Sequence, residues 1–264
     1  MSLRRLIPPP TETPPSLPPL ERQFEELDYQ NTPIGELSLR RKKILKLNGQ
    51  EVYEVKINEG FLMSSLFPFV EEEMAVRGLA LCPKDEPLDV VVGGLGLGHT
   101  AAKALENPNV RSLYIVEFIE EVIQWHCRGL VPLAPTLCQD PRCHFVHGDF
   151  FALAMDPERS FAPEAPEKKF HAILLDIDHT PELILRDPHG GFYQEAGLRA
   201  MTRHLLPGGV FAMWSDGAAN EPFLQELQKV FPNARAERVT FPNPLQHKES
   251  ANTLYLASKE ILTG

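Results

Sequence analysis

Between Asp89 and Thr100 the chain reads DVVVGGLGLGHT. An apolar run enters four glycines within six positions, Gly93, Gly94, Gly96 and Gly98, and the pattern then turns helical. Glycine is the residue that accepts left-handed backbone and lets a main chain approach a ligand closely. A strand, a glycine turn and a helix in that order predict the opening unit of a parallel α/β sheet.

The text downstream repeats the alternation. Apolar strands at DVVVGG, SLYIVE, CHFVHGD, KFHAILLDID and GGVFAMWS are separated by helical stretches over 99–107, 119–128, 191–205 and 220–231. Parallel neighbours need crossover helices, so the sheet is expected to be covered on both faces. ARAERVTF and ANTLYLAS have no helix between them and should pair as an antiparallel hairpin. The expectation is a seven-stranded, mostly parallel, Rossmann-like sheet over 61–264.

In front of it, YQNTPIGELSLRRKKILKLNGQEVYEVKI alternates apolar and polar residues around turn signals, Asn48-Gly49 among them. This reads as a small β-strand module over 23–60, followed by a helix within 64–81 that gathers strength after Pro68. Residues 1–22 are dense in proline and poor in large apolar side chains, and are expected to stay disordered.

Acidic residues outnumber basic ones, 36 to 26, for a formal net charge of −10, which argues against a protein that grips nucleic acid through a basic surface. No apolar run reaches the ~20 residues of a membrane span, and no signal-peptide core precedes the prolines. A cytoplasmic protein with no membrane partner and reduced thiols at Cys82, Cys127, Cys138 and Cys143 is the expectation. His126, Cys127, Cys138, Cys143, His144 and His147 match no paired zinc spacing, so no metal is expected. Arg40-Arg41-Lys42-Lys43 reads as a solvated hairpin end.

Open α/β sheets bind ligands beyond the carboxyl ends of their strands. There the sequence places the glycines after the first strand, Glu117 at the end of the second, Asp149 just past the third, and Asp176 and Asp178 at the end of the fourth. Each acid alone suits a helix cap or dipole. Together they point to a nucleotide site. His99 breaks the dinucleotide pattern G-x-G-x-x-G, and no Walker lysine follows. A nucleoside without pyrophosphate fits: Glu117 can accept from ribose hydroxyls and Asp149 from an adenine amino group.

These motifs, VVGGLGLG, the acid in IVEFIEEVI, HGDFF and above all AILLDIDHTPE, resemble those of the class I S-adenosylmethionine-dependent fold. More narrowly the chain is similar to the spermidine synthase-like family over about residues 24–260. The resemblance implies Asp176 as the base that takes a proton from the attacking amine, Glu117 on the ribose and Asp149 on the adenine. It also implies S-adenosylmethionine or its decarboxylated form as donor and a small amine as acceptor. Two departures matter. Gly96 stands where relatives carry an aspartate that holds the donor's ammonium, and FLMSSLFPFVEEEM lacks the tyrosine and the glutamine or histidine of the entering helix, leaving Phe61, Ser64 and Ser65 near that position.

Charge separates the donors. Decarboxylated S-adenosylmethionine carries only positive groups and calls for acids, whereas the ordinary form adds a carboxylate that bare loop amides can bind. GGLGLG suits methyl transfer, with aminopropyl transfer the rival. Asp178 is expected to hold the acceptor's charge, His179 and Tyr193 to touch the acceptor, and 180–194 to act as a lid. Trp125 and Trp214 read as packing residues, Trp214 with a place in the cofactor pocket wall. A non-catalytic nucleotide-binding or scaffold protein is the alternative from another class. Edge strands of the β module give a route to a homodimer.

Overall fold

The computed structural model describes residues 24–32 and 34–260; the Pro-rich stretch expected over 1–22 lies outside them. Two sheets are present. β1 (Phe24–Thr32), β2 (Gly35–Ile44), β3 (Gln50–Ile57) and β4 (Gly60–Ser64) form a four-stranded antiparallel sheet in the order β1-β2-β3-β4. β4 carries the module four residues beyond the boundary expected at 60. The Asn48-Gly49 signal does mark the β2–β3 reversal, with both residues at positive φ. It is preceded by a 3-10 turn over Leu45–Leu47, so the connection is longer than a two-residue hairpin.

α1 (Phe69–Ala80) leads into the larger sheet, starting directly after Pro68, which suits a helix start because it has no N–H to leave unpaired. There follow β5 (Leu88–Gly93), α2 (His99–Leu105), β6 (Val110–Glu117), α3 (Glu120–Cys127), α4 (Ala134–Gln139), β7 (Cys143–His147) and α5 (Phe150–Met155). β8 (Phe170–Leu175), α6 (Glu195–Met201), β9 (Leu205–Ser215), α7 (Glu221–Val230), β10 (Arg235–Asn243) and β11 (Lys248–Ser258) complete it. The strand order is β10-β11-β9-β8-β5-β6-β7. β5 through β9 run parallel, while β11 enters antiparallel between β9 and β10. This is the seven-stranded, mostly parallel sheet of the class I methyltransferase type. Among the described residues no helix is long and apolar enough to cross a membrane.

Alternation at period two divides the core. Val90, Val92, Ile115, Leu174 and Ala212 face one layer, with α1 packed on it through Val70, Met74 and Leu79. Val91, Tyr114, Val116, Ile173, Leu175 and Phe211 face the other, under Phe151, Phe192, Leu198 and Leu227. β5 is buried along its whole length, and each of its three valines contributes about 1.5–3 kcal/mol of burial. That rigid strand delivers the glycine turn at the switch point, where β6 lies on one side and β8 on the other.

Candidate functional site

Left-handed backbone explains the glycines one by one. Gly94, Gly96 and Gly98 have φ of +93°, +49° and +95°. A Cβ on Gly94 would stand 2.1 Å from the Asp176 carbonyl oxygen, so β5 and β8 can close side by side only with a bare backbone there. A Cβ on Gly96 would meet Met63 Sδ at 3.2 Å, and one on Gly98 would meet Leu137 at 2.8 Å.

A cleft of about 420 Å³ opens over this loop, within the ~300–1,000 Å³ range of small-molecule sites. Gly94 to His99 form its floor, and Val116 to Ile119 follow from the end of β6. Asp149 to Phe151, Asp176 and Ile177 add the β7 and β8 ends, while Trp214, Asp216, Phe241 and Asn252 close the far wall. The small sheet supplies the roof through Phe61, Leu62, Met63 and Ser64 of β4. Five carboxylates line the cleft: Glu71, Glu117, Asp149, Asp176 and Asp216. No lysine or arginine among the described residues does.

Glu117 organises the loop as well as facing the cleft. Its Oε2 accepts from Leu95 N at 3.0 Å and its Oε1 from Ile119 N at 2.8 Å. Burial lifts its carboxyl above the ordinary range against the pull of those and neighbouring amides, Gly96 among them. Further loop amides are also engaged: Gly94 N donates to Val116 O and Gly98 N to Leu95 O. His126, buried beneath, places Nε2 3.0 Å from Gly96 O, so that nitrogen carries the proton.

Asp176 follows β8, its N donating to Gly93 O at 2.8 Å. Burial pushes its carboxyl up to about 6, although Thr100 Oγ1 donates to Oδ2 at 2.7 Å and draws it the other way. Glu71, in the first turn of α1, is held well above its usual range by burial first and by the Asp176 charge second. Two interacting carboxylates thus share one desolvated corner. His99 is pushed down to about 4 by burial and is neutral, leaving the acids to set the field.

Asp149 caps α5, Oδ1 accepting from Phe151 N at 3.0 Å and Ala152 N at 3.2 Å. Its Oδ2 meets Arg186 Nη1 at 2.9 Å, and the same guanidinium lies 4.2 Å from the centre of the Phe118 ring.

Gly93, Gly94, Gly96, Gly98, Glu117, Asp149, Asp176 and His179 are therefore brought together around one cleft, all but Gly93 lining it. Gly93 lies just beneath, where a Cβ would meet Phe150 at 2.7 Å. Asp178 and Tyr193 are corrected: neither lines the cleft. The Asp178 carboxylate is buried under its own segment, accepting from Leu185 N at 2.7 Å and Tyr193 Oη at 2.8 Å, with His189 Nδ1 at 3.1 Å. A carboxylate so fully partnered has no call on an acceptor, and Tyr193 sits in the aromatic core with Phe192 and Phe223. The 180–194 stretch is thus anchored by Asp178, and includes a 3-10 turn over Asp187–Gly191. Ser65 is occupied too, accepting from Tyr53 N.

Sequence reasoning missed Glu71, Asp216 and Asn252. Asn252 Nδ2 donates to Asp216 Oδ1 at 2.7 Å, tying β11 to the end of β9. The position of Asp216 directly after WS at a strand end was a usable signal; Glu71 was hidden in the run Glu71-Glu72-Glu73.

Fold and cleft together define an α/β protein with the class I methyltransferase type of sheet and an acidic cleft over its glycine loop. The chain is 25% identical over 171 residues to polyamine aminopropyltransferase 2 of Pseudomonas aeruginosa, a match covering 62% of this chain and 45% of that protein. The chain thus spans less than half the length of the curated relative it matches. Among solved structures, it superposes on spermidine synthase from Thermotoga maritima with a TM-score of 0.67 at 18% identity, covering 89% of this chain and 73% of that one. A spermidine synthase bound to the transition-state analogue AdoDATO gives 0.68 at 18% identity, covering 89% and 74%. A probable spermidine synthase from Corynebacterium glutamicum gives 0.58 at 15%, covering 89% and 79%. No family model matches the chain. Sequence and fold agree on the spermidine synthase-like resemblance that the motifs carried.

Proposed function

We propose that this protein is a transferase that takes an alkyl group from a sulfonium derivative of adenosine and delivers it to a small amine, with decarboxylated S-adenosylmethionine as the favoured donor. One observation carries the reading: five carboxylates and no lysine or arginine line the cleft among the described residues. Such a surface attracts a sulfonium, an ammonium and an amine acceptor, and repels a free carboxylate. The glycine loop, expected to offer its amides to the carboxylate of ordinary S-adenosylmethionine, has those of Gly94, Leu95 and Gly98 already engaged.

The residues present fit such a donor. Glu117 would accept from the ribose hydroxyls with its remaining lone pairs, and Asp149 from the adenine amino group once Arg186 yields. Phe61, Phe67 and Trp214 would cover apolar surface and exclude water. The donor supplies an electrophilic carbon on sulfur; the chain's task is alignment and proton removal. Held reactants gain several kcal/mol of the barrier from alignment alone. Asp176, lifted to about 6, is matched to accepting a proton from an ammonium or amine near neutral pH. Glu71 beside it, drawn back to its charged form by a bound cation, would hold the acceptor's positive charge.

Methyl transfer is the second reading, favoured by Gly96, since an acid there would repel the carboxylate that only ordinary S-adenosylmethionine carries. Calorimetric titration with S-adenosylmethionine, its decarboxylated form, methylthioadenosine and NAD decides. The expected order has the decarboxylated donor tightest and NAD unbound. Tighter binding of ordinary S-adenosylmethionine would install methyl transfer, and failure of every adenosyl ligand would overturn the reading. Tight donor binding with no transfer to any amine would leave the non-catalytic alternative.

A further inference from the structure

Asp178 and Tyr193 do not reach the cleft, yet they fix a side chain that does. His189 is buried and lines the cleft. Its Nδ1 lies 3.1 Å from each carboxylate oxygen of Asp178. Tyr193 Oη and Leu185 N donate to the same carboxylate at 2.8 and 2.7 Å and hold it in place. A carboxylate has nothing to donate, so in the neutral ring Nδ1 carries the proton and Nε2 keeps its lone pair. Phe151 stacks on the imidazole with centroids 4.0 Å apart, fixing the plane of the ring as Asp178 fixes its edge. Nε2 has no hydrogen-bond partner among the described residues, and it is the acceptor the ring can offer to the cleft. Packing against Phe151 needs no nitrogen; a buried carboxylate behind the ring specifies a hydrogen bond in front of it.

The strand order shows which part of a donor His189 meets. In the sequence β8-β5-β6-β7, Asp176 follows β8 at one end, Asp149 follows β7 at the other, and Glu117 ends β6 between them. A nucleoside with its ribose on Glu117 and its reacting carbon toward Asp176 therefore extends its base toward β7. His189 belongs to that end. It stacks on Phe151 at the start of α5, the helix that Asp149 caps, and Arg186, three residues before it, holds Asp149 Oδ2.

On the reading of the donor as an adenosyl compound, we infer that His189 accepts from the exocyclic amine of the base and sets the preference for a 6-amino over a 6-oxo purine. That amine has two hydrogens: Asp149 takes one and Nε2 the other. A 6-oxo base turns an acceptor oxygen toward both groups, lone pair against lone pair, and is rejected. Asp178 and Tyr193 are positioning residues, which hold the tautomer in which Nε2 accepts.

The test titrates methylthioadenosine and its 6-oxo counterpart, methylthioinosine, into the full chain by calorimetry. The parent should prefer the 6-amino form by about 100-fold, and His189→Phe, which keeps the stack on Phe151, should lose about tenfold of that preference. Long-range proton–nitrogen NMR correlations of the imidazole read the tautomer without any change at His189. They should place the proton on Nδ1 in the parent, and in Asp178→Asn a form protonated on Nε2 should grow in while the preference falls. An undiminished preference in His189→Phe, or a parent ring protonated on Nε2, overturns the role of His189 and leaves the adenosyl reading intact. Equal binding of the two nucleosides by the parent does the same. Binding of neither removes the adenosyl reading, and this inference with it.

Discussion

Asp176→Asn is expected to make the protein more stable at alkaline pH while removing its proposed chemistry. The carboxyl ordinarily titrates at 3.8 and is pushed up to about 6 in the fold, chiefly by burial. A raised acid stabilises the fold fully only below its unfolded value, and that contribution is lost as pH rises through the folded value near 6. Roughly two pH units at about 1.4 kcal/mol each give about 3 kcal/mol that the parent forfeits above pH ~7. Asparagine does not ionise, and its Oδ1 can still accept from Thr100. Relief of Glu71, which the Asp176 charge holds up, adds in the same direction. At about 2–4 °C per kcal/mol for a domain of this size, the variant should melt roughly 6–12 °C above the parent at pH 8. Near pH 4 the two should converge. Circular dichroism melts across that range provide the measurement. A constant difference at every pH, or a parent that is the more stable at pH 8, would refute the argument that Asp176 is a desolvated acid.

Glu117→Ala should weaken adenosyl-ligand binding by about 1.5–3 kcal/mol, and unchanged affinity in calorimetry would remove Glu117 from the site. The same change frees Leu95 N and Ile119 N, so faster hydrogen exchange at both amides should accompany it. Gly96→Asp should move preference toward the decarboxylated donor by about 1 kcal/mol or more, read as the ratio of two dissociation constants in parent and variant. An unmoved ratio would place the donor's tail elsewhere. Arg186→Ala should tighten adenosyl-ligand binding several-fold, because Asp149 then no longer has to exchange a guanidinium for the ligand; weaker binding would show that Arg186 itself contacts the nucleotide.

Much of the fold could be read from the chain because strand and helix periods alternate cleanly after Leu88, and the ends of β5 to β8 are marked by glycine or acid. The floor of the cleft was legible for the same reason. What escaped depended on distant residues. Asp178 carries no local sign that Tyr193 and His189 will fold back onto it, and a carboxylate two residues beyond Asp176 reads as well for chemistry as for architecture. Glu71 was obscured by ordinary helix logic, in which acids crowd a first turn to meet the dipole. Only the packing of α1 on one face of the sheet turns that residue toward Asp176. The Gly60–Ser64 strand was missed because its pairing to β3 is irregular, shifting register between Val55 and Lys56.

β11 enters the sheet between two strands made before it, and this orders events in time. During synthesis β10 emerges with no neighbour to pair with, because its only partner within the sheet comes after it. Phe241 on β10 and Asn252 on β11, with the Asp216 that Asn252 holds, are therefore fixed only when the last long-range pairing forms, the slow kind of step in a growing chain. A nascent polypeptide can assemble the glycine turn early and still lack one side of the cleft. Under the proposed function, donor capture is thereby postponed until the sheet is complete, and donor binding becomes a direct report of finished folding.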